Sequence, residues 1–223
     1  MSHLLHLDSS ARTASFSRRI SARIADGWRS AHPTGRYTYR DLSGDPVPFI
    51  TEGWTQICDT LLAEQITDPT RYADAVRTPQ QRDAWEVAAP LLDELLAADV
   101  VLLGVPMYNY SVPAALKAWM DQVTFPRMDL SPRRFVVATA RGGSYGAGAP
   151  NAPFDYQGRF LSDYVAGHFG VADVRFVHAE LVNAGIDPLL RELAPQHEDS
   201  VRAALVEADR ITESWIGSEG LAS

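Results

Sequence analysis

Hydrophobic and polar positions follow two different periods along this chain. Short apolar runs at His3 to Leu7, Val100 to Val105 and Phe135 to Thr139 are too brief for helices and rich in aliphatic residues, which predicts strands. The runs at 100–105 and 135–139 stay apolar on consecutive positions, as in strands buried on both faces of a sheet. Pro106 has no N–H for a central ladder, so the third strand is predicted to end there, with Met107, Tyr108 and Asn109 spilling over its carboxyl end. Tyr37 and Tyr39 alternate with Arg36, Thr38 and Arg40, a half-exposed second strand nearer the sheet edge that extends as far as Leu42. Val174, Phe176 and Val177 supply a fifth strand.

Between these runs the spacing changes to three and four. Ile20, Ile24, Trp28 and Ala31 define one helical face, closed by Pro33 and Gly35. A helix is expected near Trp54 to Gln65. Another starts at Thr78 and Pro79 as N-cap and first helical residue, and buries Trp85, Ala88, Ala89, Leu92, Leu95 and Leu96. Pro113 opens a helix with Leu116, Trp119, Met120 and Val123 on its apolar stripe and Lys117, Asp121 and Gln122 opposite. Two more follow, one around Phe160 to Phe169 closed by Gly170 and one carrying Val201, Ala204, Leu205, Ala208, Ile211 and Trp215. Residues 50–80 are the least regular part. Five strands alternating with helices predict a three-layer α/β fold with a mostly parallel sheet, whose ligands sit beyond the carboxyl ends of the strands.

Composition narrows this picture. With 223 residues, 46% hydrophobic and 22% charged, the chain suits one globular domain over residues 1–223. A net charge of −8 argues against nucleic acid, which is bound through clustered Lys and Arg. The one cysteine, Cys58, allows no intramolecular disulfide and reads as core filling. No run approaches the ~18 apolar residues of a membrane span, and the first residues lack the basic region of a signal peptide, so no membrane partner and a cytoplasmic location are expected.

The candidate chemistry lies in two loops. After the first strand come Ser9, Ser10, Arg12, Thr13, Ser15 and Ser17, ending at a helix start. Hydroxyls and free backbone N–H groups at a helix N-terminus suit a phosphate, with Arg12 or Arg18 adding charge. Neither the Walker A pattern nor a GxGxxG after the first strand is present, which favours a mononucleotide phosphate over an NTP or a dinucleotide. After the fourth strand comes ARGGSYGAG, where Gly142 and Gly143 allow close approach of backbone to a planar ring. Its GGSYG also matches a G-x-S-x-G nucleophile elbow, with Ser144, Asp187 and His197 in hydrolase order. The elbow needs a helix at once, however, and Gly146, Gly148, Pro150 and Pro153 follow instead. His3 and His6 point to opposite strand faces and the other histidines are isolated, so no metal site is expected.

The segments SSARTASFS (9–17), PMYNYSVPAALKAWMD (106–121), TARGGSYG (139–146) and VADVRFVHAE (171–180) together resemble the flavin-dependent NADH azoreductases, relatives of the flavodoxin-like quinone reductases. The resemblance covers almost the whole chain. It implies a flavodoxin-like fold with strand order 2-1-3-4-5, a homodimer, and FMN near the dimer interface. Carried over, it places Ser10, Ser15, Phe16 and Ser17 around the FMN phosphate. It places Pro106, Met107, Tyr108, Asn109 and Tyr110 along the isoalloxazine ring, and Ala140, Arg141, Gly142 and Gly143 on another edge. Tyr108, Tyr110 or Phe154 would stack on substrate. The implied activity passes two electrons from NADH or NADPH to a quinone or azo compound in a ping-pong cycle, with Arg141 helping to stabilise the reduced flavin and no protein acid or base assigned. The alternative within the same fold is a non-catalytic electron carrier. Two departures stand out: Ala140 replaces the family's usual serine, and the segment 124–134 is short while 50–80 is long.

Overall fold

A computed structural model describes residues 2–218. Five strands form one all-parallel sheet in the order β2-β1-β3-β4-β5, with β1 His3–Asp8, β2 Arg36–Asp41, β3 Val100–Pro106, β4 Arg134–Ala140 and β5 Val174–Ala179. The three inner strands β1, β3 and β4 are buried almost throughout, whereas the edge strand β2 is only partly covered and β5 alternates. This is the difference between the continuous apolar runs and the alternating ones.

Helices cover both faces. On one side α1 (Phe16–Ala31) and α6 (Ala194–Ser218) pack Ile20, Ile24, Trp28, Ala204, Ala208 and Ile211 against Leu4, Leu102 and Val136. On the other, α2 (Glu52–Ala63), α3 (Pro79–Ala97), α4 (Ala114–Val123) and α5 (Tyr156–Phe169) cover Leu5, Leu7, Val101, Leu103 and Val137. Thr78 is the N-cap of α3 and Pro79 its first residue, as expected, and Gln81 completes a reciprocal capping box with Thr78. Cys58 is buried in the core, and burial pushes its thiol up to about 12. In the irregular stretch, Tyr72 is fully buried on a 3-10 turn (Pro69–Ala75) and packs on Phe125. No helix among the described residues is long and apolar enough to cross a membrane.

Two expectations need correction. Gln122, placed opposite the stripe of α4, is buried: its Nε2 donates to Pro48 O, and its own carbonyl accepts from Trp54 Nε1. It ties α4 to the loop after β2, a role that helical spacing does not encode. Leu42 is buried too, but lies one residue beyond β2.

Mid-sheet Gly104 has a specific cause. Asp8, only 3% exposed at the carboxyl end of β1, pairs in register with Gly104 and accepts a 2.8 Å hydrogen bond from Ser21 Oγ. A methyl group on residue 104 would collide with Asp8 Oδ1 and press on Ser21 Oγ at 3.0 Å. We therefore expect Gly104→Ala to lower unfolding free energy by about 1–3 kcal/mol through overpacking, measured by urea denaturation. An unchanged midpoint would show that the Asp8 cluster is not rigid.

Candidate functional site

Three loops leave the carboxyl ends of β1, β3 and β4 side by side. The ladder runs on past the strands and ties them together. Ser9 N donates to Gly104 O at 3.0 Å, Met107 N to Ala140 O at 2.8 Å, and Arg141 N to Ala179 O at 2.8 Å. Beyond the ladder, Ala11 N donates to Tyr108 Oη at 3.2 Å, joining the first loop to the second. The loops enclose a cleft of about 610 Å³ lined by Ser10, Arg12, Ser15 and Phe16, by Pro106 to Tyr110, and by Ala140, Gly142, Tyr145, Val182, Asn183 and Ile186. A wider groove of about 760 Å³ runs beside it along α1 and β2, past His6, Asp8, Arg18, Tyr37 and Tyr39. That groove lies at the sheet edge, whereas the cleft sits where parallel sheets of this order hold ligands.

One end of the cleft is built for an anion. Ser15 is the N-cap of α1, its Oγ accepting from Arg18 N at 3.2 Å, and Ser10 Oγ accepts from Arg12 N at 3.2 Å. Ser10 Oγ accepts from backbone and keeps its hydroxyl proton for a ligand, while Ser15 Oγ, 3.2 Å from Ser17 Oγ, shares a hydroxyl hydrogen bond with it beside the positive end of the helix. Arg12 is exposed and forms no ion pair with a described residue, so its charge is free for the cleft. Arg18, expected to add charge as well, is committed elsewhere: Nη2 donates to Ser10 O at 2.7 Å and to Asp41 Oδ1 at 2.6 Å, and Nη1 to Tyr39 Oη at 3.0 Å.

The other end is flat and aromatic. Residues 108–111 form a tight turn closed by Tyr108 N to Ser111 O at 3.1 Å and Ser111 N to Tyr108 O at 2.9 Å. Asn109 and Tyr110 both have left-handed backbone, φ 50° and 65°. Such conformations in non-glycine residues persist only where surroundings impose them. Gln157, fully buried in the first turn of α5, imposes this one: its Nε2 donates to Pro106 O at 3.0 Å and to Ser111 O at 3.3 Å. Tyr110 meets Tyr145 and Phe154 at centroid distances of 6.4 and 5.6 Å, forming a half-exposed aromatic rim.

Ten of the thirteen sequence-derived residues line the cleft: Ser10, Ser15, Phe16, Pro106, Met107, Tyr108, Asn109, Tyr110, Ala140 and Gly142. Ser17, Arg141 and Gly143 do not. Ser17 is fully buried behind Ser15, 3.2 Å from its hydroxyl. Gly143 turns its carbonyl toward Leu181 N. The Arg141 guanidinium is only 1% exposed and pairs with Asp155 at 3.0 Å and Glu180 at 3.6 Å. A buried guanidinium seeks carboxylates, and two lie beneath the loop while none lies in the cleft. Glu180 also accepts from Ser144 Oγ at 2.8 Å and from Tyr145 N at 2.9 Å, so this cluster pins the glycine loop from below. Burial, reinforced by the Arg141 charge, pushes His178 down to about 4 and keeps it neutral there. A methyl group on residue 142 would meet Asn183 Nδ2 at 2.6 Å, so the Asn183 side chain would have to move aside.

No hydrolase triad forms. Ser144 bonds Glu180, Asp187 caps Leu189 N, and His197 packs edge-on against Phe16. Among the described residues no group of His, Cys, Asp or Glu is arranged to hold a metal.

A family model described as flavodoxin-like fold matches residues 2–203. An FMN-dependent NADH:quinone oxidoreductase of Nocardia farcinica is 58% identical over 96% of this chain and all of its own length. This chain belongs to that flavodoxin-like oxidoreductase family. A second relative of the same description, from Streptomyces coelicolor, is 37% identical over 99% of the chain and its whole length. Among solved structures, the azoreductase AzrA aligns with a TM-score of 0.77 at 20% identity, over 96% of this chain and all of its own. An FMN-dependent NADH-azoreductase of Bacillus anthracis in complex with FMN aligns at 0.72 and 18%, over 94% and 99%. At these identities the structural likeness establishes the flavodoxin-like fold.

Gln157 offers a direct check on the cleft wall. Gln157→Ala deprives the Pro106 carbonyl of its buried donor and leaves Ser111 O with Tyr108 N alone, and is expected to cost about 1–3 kcal/mol in chemical denaturation. Gln157→Glu at neutral pH is expected to cost at least as much, since a carboxylate oxygen would replace the donor facing both carbonyls. Wild-type stability in Gln157→Glu would contradict this role.

Proposed function

We propose that this chain is an FMN-dependent oxidoreductase that passes two electrons from NADH or NADPH to a quinone or an azo compound. The observation that carries the reading is the convergence of the serine loop, the 106–110 turn and the glycine loop on one cleft, with anion donors at one end and a flat wall at the other. The relatives' descriptions as FMN-dependent NADH:quinone oxidoreductases support it.

The residues present fit FMN. Ser10 and Ser15, the N-terminus of α1 and Arg12, which forms no ion pair with a described residue, suit a phosphate that carries nearly two charges. Met107 to Tyr110 and Gly142 suit one side and edge of the ring, and a cleft of about 610 Å³ lies within the ~300–1,000 Å³ range of small-molecule sites. When bound, FMN supplies the two-electron carrier between nicotinamide and acceptor. The protein binds and orients: Gln157 holds the turn behind the ring position, and the cluster under residues 141–145 holds the glycine loop. The buried Arg141 acts only through the loop it supports, whose Tyr145 N donates to Glu180. Tyr110, Tyr145 and Phe154 present an aromatic rim suited to planar donors and acceptors taken in turn, which is the ping-pong order. Assembly as a homodimer belongs to the same proposal. The exposed apolar Ile186 at the cleft, together with Phe49, would be covered by a second copy.

The reading predicts that protein purified with FMN is yellow and oxidises NADH or NADPH in the presence of a quinone, with parallel double-reciprocal plots when donor and acceptor are varied. A colourless protein that FMN does not restore would overturn it. Flavin binding without nicotinamide oxidation would favour the electron carrier instead.

A further inference from the structure

Behind the anion end of the cleft lies a charge cluster that the proposed activity does not use directly. Asp8 is almost fully buried, and Asp41 stands one strand away in register with it. Two carboxylates directly behind a phosphate loop would work against binding an anion. Arg18 lies between them and the loop. Its Nη2 donates to Asp41 Oδ1 at 2.6 Å and to Ser10 O at 2.7 Å, while Nη1 donates to Tyr39 Oη at 3.0 Å and stands 3.7 Å from Asp8 Oδ2. Tyr39 Oη in turn donates to Asp8 Oδ2 at 3.2 Å. For Asp41, desolvation would raise the carboxyl, but the hydrogen bonds from Arg18, Gly44 N and Ser43 N prevail and hold it below its ordinary value. Arg18 does not line the cleft, and its one remaining donor, Nε, is buried without a partner. It therefore acts on a cleft ligand through other groups.

We propose that Arg18 is the positioning residue of the phosphate end: its fork fixes the Ser10 carbonyl, and with it the serine loop, while its single positive charge offsets part of the negative charge of Asp8 and Asp41 so that the loop accepts an anion. The ligand class follows. The site discriminates a phosphorylated ring from the same ring without phosphate, and Arg18 sets that ratio without touching either. Lysine cannot replace it, because one ammonium on a flexible stem cannot span the Ser10 carbonyl, Asp41 and Tyr39 as a planar fork does. The inference rests on the FMN reading above for its natural ligand, but its geometry concerns any phosphate at this loop.

The test is a fluorescence titration of the full-length apoprotein with FMN and with riboflavin, for wild type, Arg18→Gln, Arg18→Lys and the double variant Arg18→Gln/Asp41→Asn. Loss of a charge-assisted anchor predicts that Arg18→Gln weakens FMN about 10- to 100-fold and riboflavin by less than about 3-fold. Arg18→Lys is expected between wild type and Arg18→Gln. Adding Asp41→Asn is expected to recover much of the FMN affinity, because it removes a repelling charge while keeping an acceptor for Ser43 N and Gly44 N. Equal weakening of both flavins, or of neither, overturns the proposal. If Arg18→Gln does not fold, Arg18→Lys carries the same comparison. Should wild type bind neither flavin, the FMN reading fails. The role of Arg18 is then read from the rise in melting temperature that inorganic phosphate gives the wild type: its loss in Arg18→Gln supports the proposal, and its absence in wild type or its persistence in the variant overturns it.

Discussion

Everything at the candidate site depends on the parallel ladder continuing for one residue past the ends of the inner strands. β3 and β4 end at the same level and β1 two residues earlier, opposite Gly104, and Ser9, Met107 and Arg141 each donate a backbone N–H to the neighbouring strand. The three loops therefore start from fixed points on adjacent strands. A flat ligand with an anionic tail can be gripped by three loops only if their origins are rigid to within a fraction of an ångström. Pro106 contributes by having no N–H of its own, so the chain leaves the sheet at that residue and Met107 makes the last ladder bond.

Beyond the ladder, each loop rests on one buried polar side chain that the ligand would not touch. Arg18 supports the serine loop, Gln157 the 106–111 turn, and Arg141 with Glu180 and Asp155 the glycine loop. Buried polar groups of this kind are costly unless partnered, and their partners here are the backbone and carboxylates that shape the cleft. The positive φ of Asn109 and Tyr110 shows what such support achieves: a backbone shape unfavourable to isolated residues is held in place.

The sequence made the fold legible because its signals are local. The apolar run at 100–105 ending at Pro106, the Thr78-Pro79 helix start and the spacing of Ile20, Ile24 and Trp28 each decide an element without knowledge of distant residues. The cleft-lining serines, the MYN turn and Gly142 were legible through family resemblance and position at strand ends. What stayed hidden are side chains whose partners are far along the chain: Gln157 reaches Pro106 across 51 positions, Gln122 reaches Pro48 across 74, and Arg18 reaches Asp41 across 23. Arg141 stands within a recognised motif, yet only the fold brings Asp155 and Glu180 beneath it and turns its guanidinium inward. Polar residues in helical patterns read as solvent-facing by default, and nothing in spacing marks the exceptions.

The central claim is that these three loops hold one phosphate-bearing flavin. A crystal structure of the protein grown with FMN tests it most directly. The phosphate is expected within hydrogen-bond distance of the Ser10 and Ser15 hydroxyls and the ring against Met107 to Tyr110. Electron density for FMN in the groove beside Tyr37 and Tyr39, with the cleft between the loops holding only solvent, would contradict it.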